Sequence, residues 1–213
     1  MLAIHDLTIC FGDQQILDTV SMQIAPGSTM GLVGINGAGK TTLLRAIAGL
    51  IKPSSGIIEK SNVLYLPESY RPLEKLTGQE YLSLTCKCYG CDVDEYALEV
   101  LDFDKSSLPK LIKTYSKGMR QKLGLAMAFS TNCKALVLDE PMSGLDPIAR
   151  EGFKQLLSGS KAAVLLTSHS LGDVDTLCDD ICVLHQGQLY PVNNTLEHAF
   201  FDIVGHLRYK DVS

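Results

Sequence analysis

Apolar residues recur with a two-residue period at the start of the chain. Leu2, Ile4, Leu7 and Ile9 fall on one face of residues 2–9, and Ile16, Val20, Met22 and Ile24 repeat the pattern before Ala25-Pro26-Gly27 turns the backbone. These runs read as antiparallel strands. The pattern then shifts to a continuous apolar run at 135–138 and largely apolar runs at 28–33, 162–167 and 181–184, as expected of parallel strands buried on both faces. Between them lie helical stretches at 41–50, 118–130 and 147–157, and one ending near Cys178. Short strands at Ile57-Ile58 and 63–66 follow the turn Lys52-Pro53-Ser54-Ser55-Gly56 and stop at Pro67. Alternating buried strands and helices predict an α/β fold, a mostly parallel sheet with helices on both faces, preceded by an antiparallel β subdomain. From Glu68 to Lys113 the pattern becomes a polar and apolar mixture with helical spacing at Tyr81, Leu84, Thr85 and Cys88, which predicts a small inserted helical subdomain.

With 213 residues, the chain suits one large domain. The expected partition is a core over about residues 1–67 and 118–190, the helical subdomain over about 68–117, and a weakly patterned tail over 191–213. A hydrophobic fraction of 46% fits a folded globular protein, and a net charge of −5 offers no general attraction to nucleic acid. No uncharged apolar run approaches the roughly 18 residues needed to span a bilayer, so a cytoplasmic location is expected. Seven cysteines, an odd number, point to reduced thiols and not to a disulfide framework. Cys86, Cys88 and Cys91 are closely spaced, but a zinc site wants four soft ligands and no suitable fourth lies nearby.

The chemistry begins at Gly34-Ile35-Asn36-Gly37-Ala38-Gly39-Lys40-Thr41-Thr42, which fits the phosphate-binding loop pattern G-x-x-x-x-G-K-[ST] between a strand and a helix. Glycines let the backbone aim successive N–H groups at an anion, and the helix adds the positive end of its dipole. Lys40 supplies a full charge to the β- and γ-phosphates, and Thr41 a hard oxygen for Mg²⁺. Strand 135–138 delivers Asp139 to the edge of the sheet where it can hold Mg²⁺, with Glu140 next to it to orient or deprotonate a water. His169 lies at the same edge after strand 162–167, within reach of a γ-phosphate by position. Ser116 and Gly118, opening the 118–130 helix, offer a hydroxyl and N–H groups to a second anion, or else a simple helix cap. Two half-sites far apart in sequence suggest a dimer in which each completes the other.

Together these residues resemble the nucleotide-binding subunit of ATP-binding cassette transporters over about residues 2–190. Residues 34–42 are similar to that family's Walker A motif, Leu136–Glu140 to its Walker B motif with the catalytic glutamate, and Tyr115–Gln121 to its signature motif. Ser143-Gly144-Leu145-Asp146 resembles its D-loop and His169 its switch histidine. The resemblance implies a P-loop NTPase core that binds ATP through Gly34, Asn36, Gly37, Ala38, Gly39, Lys40, Thr41 and Thr42, with Phe11 stacked on the adenine and with Ser116 and Gly118 acting across a dimer. It implies Mg²⁺ at Thr41 and Asp139, and catalysis by Glu140, His169 and Lys40. Two positions depart from the pattern. Glu68 stands where the family has Gln, a carboxylate that can bind Mg²⁺ but repels phosphate, and Lys117 replaces the signature's first glycine.

The implied partners are a second ATP-binding subunit and an integral-membrane permease that would hold the chain at the inner face of the membrane, with no nucleic acid. The segment Ser69–Leu73 is the expected permease contact. The exporter-type branch is the nearest likeness. The alternatives are a regulatory subunit of low turnover, with Glu68 and Lys117 as its marks, and a soluble cassette ATPase acting on a non-membrane partner.

Overall fold

A computed structural model describes residues 1–192 and 195–208. The strands are β1 (Leu2–Phe11), β2 (Gln14–Ile24), β3 (Thr29–Val33), β4 (Ser55–Lys60), β5 (Val63–Leu66), β6 (Ala135–Leu138), β7 (Ala163–Thr167), β8 (Asp180–His185) and β9 (Gln188–Pro191). The α-helices are α1 (Lys40–Ala48), α2 (Gly78–Cys88), α3 (Glu95–Val100), α4 (Lys117–Ser130), α5 (Pro147–Gly159), α6 (Leu171–Leu177) and α7 (Leu196–Arg208). The chain divides into two compact units. One comprises Met1–Tyr65, Lys134–Asp139 and Lys161–Ser213, the other Leu66–Cys133 and Glu140–Ser160.

The first unit holds an antiparallel sheet in the order β2-β1-β4 and a second sheet in the order β5-β6-β7-β3-β8-β9. In the second sheet β6, β7, β3 and β8 run parallel, and β9 returns antiparallel to β8. β3, β6 and β7 are buried at every position, so their side chains face cover on both sides and their largely apolar sequence follows. On one face, Leu43, Leu44 and Ile47 of α1 join Leu32, Val137, Leu165 and Leu184 with the inward residues of β1 and β2 in one core cluster. On the other, α6 lies against β3 so closely that a Cβ on Gly31 would sit 2.3 Å from Val174. This matches the α/β architecture expected from the sequence.

Strand β1 also explains an irregularity in its pattern. Leu2, Ile4, Leu7 and Ile9 are all buried, although the step from Ile4 to Leu7 is three residues. A register shift between Ile4 and Leu7, with Asp6 at φ 49°, absorbs the extra residue as a bulge and returns Leu7 to the core face.

In the second unit, α2 opens with a capping box in which the Thr77 side chain accepts from the Glu80 N–H and the Glu80 carboxylate accepts from the Thr77 N–H. Its buried positions are Gly78, Leu82 and Cys86, one residue round from the expected stripe of Tyr81, Leu84, Thr85 and Cys88. Helix α4 is buried from Gln121 to Ala128, nearly all round, between α2, α3 and α5. The face of α3 and α5 is so close that a Cβ on Gly152 would lie 1.7 Å from the Val100 carbonyl.

Candidate nucleotide site

In the first unit β3 ends at Val33 and the chain passes through Gly34–Gly39 into α1. Gly39 is the N-cap of that helix at φ 105°, a left-handed conformation that a side chain resists, and a Cβ there would press on Leu17 at 3.1 Å. The turn leaves the first N–H groups of α1 at the mouth of the loop, where a helix offers its partial positive charge. Lys40 is only 9% exposed and folds back over the loop, its Nζ donating to the carbonyls of Gly34 at 2.7 Å and Ile35 at 3.2 Å.

Thr41, the next residue of α1, turns its hydroxyl toward the end of β6. Its Oγ1 lies 3.3 Å from Asp139 Oδ2. The other carboxylate oxygen, Oδ1, accepts a 2.7 Å bond from the fully buried Thr167 hydroxyl at the end of β7. The parallel register, Leu138 opposite Leu166, is what sets Asp139 beside Thr167. Tyr65 of β5 adds a long 3.4 Å contact from its hydroxyl to Oδ2. Burial, followed by the Asp139 charge, pushes the Tyr65 phenol above its ordinary value. A hydroxyl and an oriented carboxylate converging beside a phosphate loop form a hard-oxygen donor set that fits Mg²⁺ and would suit no soft metal.

Beside the loop is a cleft of about 570 Å³, bounded by Gln14, Gln15 and Ile16 at the start of β2, by Ile35–Ala38, by His185 and Gly187 at the β8–β9 turn, and by Val204 of α7. Its walls carry amide and imidazole edges as well as apolar surface, and His185 is buried with neither ring nitrogen hydrogen-bonded among the described residues. Phe11 pairs with Gln14 across the β1–β2 hairpin and is 53% exposed, an aromatic face presented to solvent where a core role would have buried it. His169 is exposed just after β7, next to buried Ser168.

The second unit contains the remaining candidates. Ser116 caps α4, its Oγ accepting from the Met119 N–H at 3.2 Å, and is exposed. Gly118 faces the Gly144 carbonyl so closely that a Cβ would come within 2.8 Å of it. Around this contact three side chains of α4 tie the helix to residues 140–146. Lys117 Nζ donates to Ser143 Oγ at 2.9 Å, Gln121 Nε2 to the Pro141 carbonyl at 2.8 Å, and Lys122 forms a 2.8 Å ion pair with Asp146. Asp146 also caps α5 through the Ala149 N–H. The Lys122 hydrogen bond, then that cap, hold the Asp146 carboxyl below its usual range. Lys117 therefore faces the D-loop-like segment of its own chain. Glu140 is buried at φ 50°, a left-handed backbone that turns the chain sharply after β6, and its carbonyl accepts from the Ser143 N–H.

Glu68 is exposed in this unit. In the nearby segment, Tyr70 is only partly exposed. Its ring packs on Gly124 of α4, its hydroxyl meets that of Tyr81 at 2.6 Å, and burial raises its phenol. Leu73, by contrast, is 59% exposed.

The structure thus brings Lys40, Thr41 and Asp139 together in one unit and Ser116, Gly118 and the 143–146 segment in the other. Sequence reasoning missed Thr167, Tyr65 and the cleft-lining Gln14, Gln15 and His185. A hydroxyl two residues before His169, on the strand next to Asp139, was the available signal for Thr167.

Comparison with known proteins then bears on the geometry. A family model described as "ABC transporter" matches residues 17–143. An uncharacterized ABC transporter ATP-binding protein, YdbJ of Bacillus subtilis, is 36% identical over 228 residues, covering 95% of this chain and 74% of its own length. The bacitracin transport ATP-binding protein BcrA of Bacillus licheniformis is 32% identical, over 97% of this chain and 71% of its own. Other curated relatives are longer, the chain spanning 66% and 57% of two of them. Among solved structures, one described as the ATP binding subunit of an ABC transporter superposes with a TM-score of 0.89 at 27% identity, over 96% of this chain and 99% of the other.

Proposed function

The chain belongs to the ABC transporter family of ATP-binding proteins, and on that premise we propose that it is the ATP-hydrolysing motor subunit of a multisubunit transporter. The observation that carries the reading is the arrangement at the end of β6. Asp139 is oriented by Thr167 and sits 3.3 Å from Thr41 beside the phosphate loop.

ATP is seated with its phosphates on the loop amides of Gly34, Asn36, Gly37, Ala38 and Gly39, with Lys40 exchanging its carbonyl contacts for the β- and γ-phosphates and Thr42 extending the helix N-terminus beneath them. The nucleoside lies toward the Gln14–Ile16 cleft, with the exposed ring of Phe11 available for stacking on adenine. Thr41 and Asp139 would hold Mg²⁺. When bound, the ion neutralises charge on the β- and γ-phosphates. Glu140 orients and deprotonates the attacking water, and His169 hydrogen-bonds the γ-phosphate. No step is assigned to Glu68. Ser116 and the N–H groups near Gly118 act on the nucleotide of a second ATP-binding subunit, identical or similar. Phosphoryl transfer needs positioning and charge compensation more than covalent chemistry, so completing the site by dimer closure ties hydrolysis to motion.

Among the described residues no helix is long and apolar enough to cross a membrane. The motion acts on an integral-membrane permease at the inner membrane face. Export is the favoured direction, supported by Tyr65-Leu66-Pro67-Glu68 in combination with the run Tyr115–Gln121, which together resemble the branch that serves multisubunit exporters. The test is steady-state ATP turnover of the chain purified with its permease, compared with Glu140→Gln. A drop of at least about 100-fold is expected for loss of a general base. Equal rates would favour a regulatory subunit.

A further inference from the structure

The Cys86-x-Cys88-x-x-Cys91 cluster belongs to none of the chemistry above. Among the described residues no group of three His, Cys, Asp or Glu side chains is placed to hold a metal. Its geometry is set by how α2 ends. Gly90, at φ 67°, reverses the chain, the Cys91 N–H bonds the Cys86 carbonyl at 3.0 Å, and the Gly90 N–H bonds the Lys87 carbonyl at 3.1 Å. This is a Schellman motif, in which the residue after the reversal packs on the residue five positions earlier. That contact is normally between two apolar side chains. Here both are cysteines. Cys91 Sγ donates to the Cys86 carbonyl at 3.3 Å, which lays the Cys91 thiol against the residue that carries the Cys86 thiol.

The thiols differ in access. Cys86 is 1% exposed, whereas Cys91 is half-buried and reachable from solvent. Burial pushes the Cys86 thiol up to about 11, which makes it a poor first target for an oxidant. Cys88, between them in sequence, points outward and is exposed.

We propose that Cys86 and Cys91 form an oxidisable dithiol that a peroxide closes to an intramolecular disulfide. Peroxide oxidises the accessible Cys91 thiol to a sulfenic acid, one O–O bond breaking and one water leaving. The adjacent Cys86 thiol then attacks the Cys91 sulfur, forming the S–S bond and expelling a second water. Net, the two thiols lose two hydrogens and the peroxide is reduced to two waters. The hydrogen bond joining the two backbones places the resolving thiol beside the first without unfolding α2. The product fixes the C-terminus of the helix that carries Tyr81, the partner of Tyr70.

Trypsin supplies the assay, because Lys87 lies between the cysteines and separates residues 76–87 from 88–105. The full chain is treated with hydrogen peroxide, alkylated and digested without reductant. The expected result is a cross-link joining these peptides with loss of two hydrogens, abolished by dithiothreitol, lost in Cys86→Ser and in Cys91→Ser, and retained in Cys88→Ser and Cys133→Ser. Circular dichroism of each variant checks that it is folded, and the two retained variants keep the test decisive if Cys86→Ser unfolds. A cross-link that survives Cys91→Ser, one that joins Cys91 to Cys133, or oxidation that stops at uncrosslinked Cys91 would each overturn the proposal.

Discussion

Replacing Thr167 with Val keeps the shape of a fully buried side chain while deleting the hydroxyl that donates to Asp139 Oδ1 at 2.7 Å. A lost hydrogen bond to a charged group costs about 1.5–3 kcal/mol, and no cavity is added because Val and Thr are near in volume. That energy falls on the orientation of the carboxylate, since Thr41 and Tyr65 reach only its other oxygen, at 3.3 and 3.4 Å. Losing a residue that orients a metal ligand typically weakens metal affinity by roughly 10- to 100-fold, and tenfold per 1.4 kcal/mol makes the two estimates agree. The assay is a Mg²⁺ titration of ATP turnover at fixed nucleotide, paired with ATP binding in chelator. Half-saturating Mg²⁺ should rise by about 10- to 100-fold while Mg²⁺-free ATP binding stays within about twofold, and Thr167→Ser should restore the original value. A folded Thr167→Val protein with unchanged Mg²⁺ dependence would refute the assignment of Asp139 as the oriented Mg²⁺ ligand.

Three further perturbations address other parts of the molecule. Phe11→Ala should weaken ATP binding by roughly 5- to 150-fold in calorimetry, the worth of about 1–3 kcal/mol for one base stacked on an aromatic ring, and Phe11→Tyr should not. Lys122→Met should cost about 1–3 kcal/mol in urea unfolding at pH 7, because Lys122 is 10% exposed and bonds both Asp146 and the Asp102 carbonyl. Asp146 is held below its unfolded value, so its share of that stability is present above about pH 4 and is lost as pH falls through the folded pKa; the gap between wild type and variant should narrow on acidification. Leu73→Glu should change stability by less than about 0.5 kcal/mol, since the residue is exposed, yet abolish co-purification with a membrane subunit; full retention would remove Leu73 from the docking surface.

The buried strands were legible because a parallel sheet covered on both faces favours largely apolar sequence, and β3, β6 and β7 supply it with Thr29 and Thr167 as the polar exceptions. The phosphate loop was legible for a local reason: its glycines, lysine and threonine act within nine consecutive residues. The support of Asp139 was not, since Thr167 reaches it only through the register of β6 on β7, a fact of pairing that no single strand's sequence carries. Strand β9 was missed because its turn is Gln186-Gly187, both at positive φ, where the usual signal is Asn-Gly or Asp-Gly. The helix α7 lay in a tail whose sequence gave no clear period. The buried face of α2 runs through Leu82 instead of Leu84, because two leucines two positions apart lie on different sides of a helix and the local pattern does not choose between them. Tyr70 falls in the segment expected to contact a permease, whereas the absence of a side chain at Gly124 opens the space its ring occupies.

The central claim is that the site is composite, the phosphate loop of one subunit completed by the Ser116–Gly118 end of α4 on another. The most direct measurement is ATP turnover per subunit as a function of protein concentration, with Ser116→Arg alongside. A composite site predicts that specific activity rises with concentration toward a plateau, and that Ser116→Arg binds ATP normally yet stays inactive throughout. Specific activity independent of concentration for a species that light scattering shows to be monomeric, undiminished by Ser116→Arg, would contradict it.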